Sequence, residues 1–258
     1  MLRNLTYAAM ALVLTLAPCA LAQEATTSTA QLDEAPTTPP MIARYDPDAL
    51  DWLKKIEEKH QTIQRVVAEF DQVKMNSLFL EEIRSIGILR YIKPDRLMIV
   101  YNPPEKISEL DREDNPVLYN YLIGDVFWVY NPSIKQADKF YLKHEDDEQR
   151  RINEMLIGFG ASVEQLKAHF RIAILPVAPD GAAGIRFVPL PENEDRLFKS
   201  MELYISKKEL RPLMFHFVDS QSDDETTVTI KNVLWNVEVD EKLFELDFPR
   251  DVEIIERN

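Results

Sequence analysis

Residues able to do chemistry are few in this chain, and they are badly spaced for it. There are four histidines, His60, His144, His169 and His216. None falls in an HExxH, CxxC or paired-histidine arrangement. The run His144-Glu145-Asp146-Asp147-Glu148 gathers metal-ligating types, but a like-charged run of this kind reads as a solvated acidic loop. Ser85, Ser133, Ser162 and Ser200 lack the Gly-x-Ser-x-Gly setting of a hydrolase nucleophile. Gly158-Phe159-Gly160 lacks the strand-then-helix context of a phosphate loop. These residues point to no enzymatic activity, no metal centre and no cofactor.

What the chain concentrates instead is grease. In LIGDVFWVYNP, Leu122 to Pro132, a Gly124-Asp125 turn separates two apolar runs, and Phe127, Trp128, Val129 and Tyr130 follow each other before Asn131-Pro132 stops the strand. Side chains alternate along a strand, so Phe127 and Val129 share one face while Trp128 and Tyr130 share the other. The same doubling occurs upstream. Gly87, Leu89, Tyr91 and Lys93 oppose Ile86, Ile88 and Ile92, and Leu97, Ile99 and Tyr101 oppose Met98 and Val100. A sheet with one wet face alternates more cleanly than this, so both faces need cover. Two arrangements satisfy the pattern. One is a packed barrel interior with the N-terminal helix on the other side, and the other is a cavity for an apolar ligand on one side.

The elements that must position these side chains are legible in outline. Residues 1–22 have the form of a secretory signal peptide: Arg3, an apolar run from Leu5 to Ala17, and Ala20-Leu21-Ala22 as a small-x-small site. Cleavage after Ala22 is expected, which would place the protein in the periplasm. Leu16-Ala17-Pro18-Cys19 loosely resembles a lipidation box, but the proline fits it poorly. Residues 23–45 are rich in Thr, Ala and Pro without an apolar period and predict a disordered tether. A single domain is expected over 46–258. It starts with a helix from about Pro47 to Val67, carrying the stripe Leu50, Leu53, Ile56, Ile63, Val66, Val67. Strands follow at short spacing with polar turns between them, which predicts one antiparallel sheet, strongly curved or closed into a barrel. One insertion, Asp146 to Phe170, reads as helix with the stripe Ile152, Met155, Leu156, Phe159, a break at GFGAS and a second short helix. The 30 basic and 44 acidic side chains leave a net charge of −14. That argues against nucleic acid and against an anionic membrane surface, and favours a soluble monomer.

Several stretches in order resemble the LolA family, periplasmic carriers that ferry lipoproteins between bacterial membranes. They are Phe70-Asp71-Gln72, residues 87–104, 124–137, 203–233 and 244–254, and the resemblance spans about residues 48–256. It implies an unclosed antiparallel β-barrel, mainly β with an N-terminal helix and inserted lid helices, holding acyl chains between barrel and lid. By this resemblance Phe70, Leu89, Tyr91, Leu97, Ile99, Tyr101, Phe127 and Val129 line the cavity, and Met155, Leu156 and Phe159 are lid residues. The implied partners are an acylated lipoprotein cargo, an inner-membrane lipoprotein-releasing transporter and an outer-membrane acceptor. The family usually has an arginine before the proline after the second strand, where it latches the lid. Here Lys93 stands there, with a flexible point charge in place of a planar fork, which predicts a looser latch. A carrier or sensor of another lipid on the same fold, or a packed interaction module without ligand, remain the alternatives.

Overall fold

The structure, a computed structural model, describes residues 44–102, 118–141, 162–191 and 198–257. The expected leader, most of the tether, and the lid residues Met155, Leu156 and Phe159 lie outside the described residues.

Twelve strands build one sheet. They are β1 (Arg65–Met75), β2 (Glu82–Ile92), β3 (Arg96–Asn102), β4 (Leu118–Ile123), β5 (Val126–Asn131), β6 (Gln136–Tyr141), β7 (Phe170–Ile174), β8 (Ala182–Pro189), β9 (Phe198–Ser206), β10 (Pro212–Asp219), β11 (Glu225–Trp235) and β12 (Glu253–Arg257). Their spatial order is β12-β6-β5-β4-β3-β2-β1-β11-β10-β9-β8-β7. The sheet is curved and does not close, because β12 and β7 are its two edges. Every pairing is antiparallel except β12 with β6, which is parallel. β12 was not foreseen in the sequence. Its Glu253-Ile254-Ile255-Glu256-Arg257 is too charged to read as a strand and is ordered by the edge it joins.

The N-terminal helix α1 spans Pro47–His60. Asp46 caps it by accepting from the Asp48 N–H, and Pro47 occupies the first turn. The expected extension to Val67 is wrong, since the helix stops at the Gln61 cap. The β-branched residues beyond, Thr62, Ile63, Val66 and Val67, fit a strand better than a helix. β1 also gains a ladder on both sides, with β2 and β11, which a longer helix would forfeit. The short helix α2 (Val163–His169) opens with a capping box between Ser162 and Gln165. At the β7 edge, Tyr45 bridges Ile172, whose carbonyl accepts from the Asp46 N–H at 2.9 Å and whose N–H donates to the Arg44 carbonyl at 3.1 Å. That covers part of an otherwise open edge.

Both faces of β2–β5 are covered, as their doubled apolar pattern requires, but not in the expected way. The N-terminal helix does not back the outer face. Its Ala49 and Leu53 join the inner cluster with Leu89, Ile99 and Phe127. The outer face is closed by the chain after β11, a strap that includes a 3-10 helix (Glu241–Phe244). Val239 and Phe244 bury against Ile92, Met98, Val100 and Tyr121. Further along, Phe248 lies 5.4 Å from the ring of Trp128 and 4.9 Å from that of Tyr130. The outward aromatics of β5 are therefore the seat of this strap.

Candidate functional site

The strand register arranges the inner face in three transverse rows. The first crosses β1 to β6 as Val66, Tyr91, Leu97, Leu122, Phe127 and Phe140. The second runs Ala68, Leu89, Ile99, Asn120 and Val129, and the third Phe70, Gly87, Tyr101 and Leu118. Directly opposed residues on neighbouring strands share a face, so the eight side chains expected to line a cavity stand on one wall. Seven are buried and Val129 is half-buried against them. Gly87 is needed in its row because the Phe70 ring lies over it. A Cβ there would sit 2.3 Å from Phe70 Cζ and 2.6 Å from the Val100 carbonyl oxygen. Phe70 in turn meets Tyr101 edge-on at 5.5 Å.

The wall is not uniformly apolar, and sequence reasoning missed its polar members. Asn120 is wholly buried in the middle row, and its side chain hydrogen-bonds the Tyr101 hydroxyl. Burial pushes the Tyr101 phenol well up, with the Asn120 contact pulling weakly the other way, so the group stays a neutral hydroxyl. Beyond the third row, Gln72 and Thr226 are buried on the same face. Their Oε1 and Oγ1 have no hydrogen-bond partner among the described residues. Alternation alone carried the signal, since Asn120 sits in phase with Leu118 and Leu122, and Gln72 with Phe70.

Lys93 occupies the far end of β2. Its Nζ donates to the His60 carbonyl at 3.0 Å, and its backbone N–H donates to the Gln64 carbonyl at 2.9 Å. An ammonium on the last carbonyls of a helix is a favourable C-terminal arrangement, so Lys93 ties β2 to α1. Contact with the expected lid positions lies outside the described residues. His60 is 5% exposed. Burial first, then the charges of Lys59 and Lys93, lower its pKa to about 4. Among the described residues no group of three His, Cys, Asp or Glu side chains is placed to hold a metal ion. A surface cleft of about 440 Å³ lies between the start of α1 and the β7–β8 turn, lined by Trp52, Lys55 and Asp180, and takes in none of the wall residues.

An uncharacterised conserved protein from Thermus thermophilus is 13% identical over 81% of this chain and 98% of its own, with a TM-score of 0.47. An outer membrane lipoprotein-sorting protein domain from Vibrio parahaemolyticus is 11% identical over 76% of this chain and 96% of its own, at 0.41. The Mycobacterium tuberculosis lipoprotein LppX is 12% identical over 76% and 98%, at 0.42. No curated protein matches the chain. The sequence model of the family described as outer membrane lipoprotein carrier protein LolA matches residues 61–247. That stretch begins where α1 ends and takes in β1 to β11 and the strap as far as Asp247, well over half of the sequence, and the chain therefore belongs to the LolA family.

Proposed function

We propose that this chain is an extracytoplasmic, periplasmic carrier. It would take the acyl chains of a lipoprotein against the inner face of its sheet and shuttle the cargo from inner to outer membrane. The observation that carries the reading is the three-row apolar wall in a chain of this family. In this reading the eight wall residues named above contact the acyl chains, Met155, Leu156 and Phe159 are the lid that covers them, and Lys93 is the latch of that lid. Loading from an inner-membrane releasing transporter and delivery to an outer-membrane acceptor would complete the cycle.

Energetics favour exchange over simple capture. One 16-carbon chain gains roughly 12 kcal/mol on full burial at ~0.8 kcal/mol per CH₂. Three such chains would exceed any attainable non-covalent affinity. Seven of the eight wall residues are buried against protein neighbours, so an incoming acyl chain replaces resident apolar contacts and the net gain is a fraction of the gross. Release then needs only an acceptor that holds the chains better.

Native mass spectrometry of the protein purified from periplasm without detergent, with lipid extraction of the same sample, tests this. Acylated lipoprotein bound one to one is the expected result. Phospholipid or glycolipid in its place would assign the chain to another lipid on the same fold. A bare mass that persists after incubation with acylated lipoprotein would overturn the carrier reading.

A further inference from the structure

The β1–β2 turn carries Leu78, Phe79 and Leu80, which are 82%, 74% and 77% exposed. Single exposed apolar residues are ordinary, but three large ones in succession are not. The turn that presents them is firmly built. Asn76 Oδ1 accepts from the backbone N–H of Leu78 and of Phe79 at 3.0 and 2.8 Å, and the Leu80 N–H donates to the Asn76 carbonyl at 2.9 Å. The neighbouring β10–β11 turn braces it: the Ser77 N–H donates to Asp224 Oδ1 at 2.9 Å, and the Ser77 hydroxyl to the Ser222 carbonyl. Burial alone would raise the Asp224 pKa, but the Ser77 N–H and the Lys74 ammonium outweigh it and hold the carboxyl below its usual range, so the brace stays anionic. Leu80 adopts φ +54°, a left-handed conformation that costs a leucine and suits a glycine. The fold has no packing use for its side chain.

Strand direction brings a second exposed apolar residue to the same end. β5 runs parallel to β1, separated from it by three strands and four antiparallel pairings, so the β5–β6 turn lies at the same end of the sheet. Its Ile134 is 61% exposed. The two tips are four strand spacings apart across the sheet, and the β1–β2 tip projects further, because β1 runs on to Met75 beyond the row in which β5 ends at Asn131. The chain as a whole is strongly acidic, with a net charge of −14, and Glu81 stands exposed beside Leu80, but four of the described acids near these tips are paired. Glu82 pairs with Arg84, Asp224 with Lys74, Asp223 with Lys199, and Asp251 with Lys135.

We propose that this end of the molecule docks on a lipid bilayer with zwitterionic headgroups, inserting Leu78, Phe79 and Leu80 into the interfacial layer. One rigid apolar tip that projects beyond its neighbours, on a chain of net charge −14, suits a flat, deformable surface that carries no net negative charge. The exposed Lys199 and Lys135 can exchange their carboxylate partners for phosphate oxygens at the membrane surface. Anionic lipid weakens the docking, because the remainder of the chain is repelled by it. The proposal takes its purpose from the carrier reading, as the place where cargo is exchanged, but its chemistry does not depend on that reading.

The test is co-sedimentation of the full chain with protein-free phosphatidylcholine–phosphatidylethanolamine vesicles. It is set beside the triple variant Leu78→Ser, Phe79→Ser, Leu80→Ser, whose changes are all on exposed side chains and leave the melting temperature unchanged. The wild type partitions to the vesicles, the variant does so at least about tenfold more weakly, and replacing part of the lipid with phosphatidylglycerol lowers wild-type binding at low salt. Equal partition of the two proteins, or a wild type that stays in the supernatant, overturns the proposal. Wild-type retention on native membranes but not on protein-free vesicles overturns it too and makes the tip a protein-docking element. Binding of acylated lipoprotein in solution, measured on both proteins, is unaffected by the triple change. Its absence alongside intact vesicle binding would count against the carrier reading alone.

Discussion

His60 ends α1 with its ring against Trp235, 5.7 Å between centroids. Its imidazole is neutral in the folded protein, with the pKa lowered from 6.5 to about 4 by burial and by Lys59 and Lys93. Between those values the unfolded chain binds the extra proton and the folded one does not. Stability is therefore full above about pH 6.5 and falls as pH drops toward 4, by roughly 3 kcal/mol over the window. Urea unfolding at pH 7.5 and at stepwise lower pH measures the slope, and His60→Gln flattens it. Thr226 makes the opposite case. Its hydroxyl is buried with no hydrogen-bond partner among the described residues, so it contributes only desolvation cost. Thr226→Val keeps the shape and leaves stability unchanged or up to about 1 kcal/mol higher, read from the same denaturation curves. Tyr101 and Asn120 differ again. Their hydrogen bond inside the wall is removed by Tyr101→Phe at a cost of about 1 kcal/mol.

The strap gives the sheet a second, smaller core on its outer face. Val239, Phe244 and Phe248 cover the outward faces of β3, β4 and β5, while the inner face packs in the larger cluster with α1, so each side of the sheet has its own apolar cover. Phe244 is buried at 6% exposure. Phe244→Ala costs about 3 kcal/mol through lost burial and the cavity it leaves, visible as a lower urea midpoint. The variant keeps its acyl-chain binding where it remains folded, because no wall residue is touched. Loss of acyl binding in folded Phe244→Ala protein would show that the two faces are coupled through the strands.

Taken whole, the molecule is an open, curved sheet with two distinct ends. Lys93, the close of α1 and the β7–β8 turn lie at one, and the two exposed apolar tips at the other. A ligand bound by the folded chain alone raises its stability by mass action, about 2.7 kcal/mol at a hundredfold excess over Kd. A diacylated lipopeptide therefore raises the melting temperature of the whole domain, and the same peptide without its acyl chains does not. A shift of equal size with both peptides would remove acyl recognition from the inner wall.

The amino-acid sequence by itself determined the strands from β1 to β11, the start of α1, the two-sided apolar pattern of β2, β3 and β5, and which side chains share a face. All of these follow from local chemistry: alternation with period two, turn residues, a capping aspartate and β-branched runs. It also showed the absence of catalytic spacing and the order of stretches that resemble the LolA family. Only the tertiary structure decided where α1 stops, because β1 is drawn into a ladder with strands far along the chain. It decided that the C-terminal strap, and not α1, backs the outer face, since Val239 and Phe244 show no period that announces their partners. It made a strand of the charged β12, which pairs only because β6 offers an edge. It placed Asn120 at the centre of the wall, a burial that a single polar letter in a strand does not disclose. And it brought Leu78, Phe79 and Leu80 to an exposed tip at the same end as Ile134, a juxtaposition set by strand direction across the sheet.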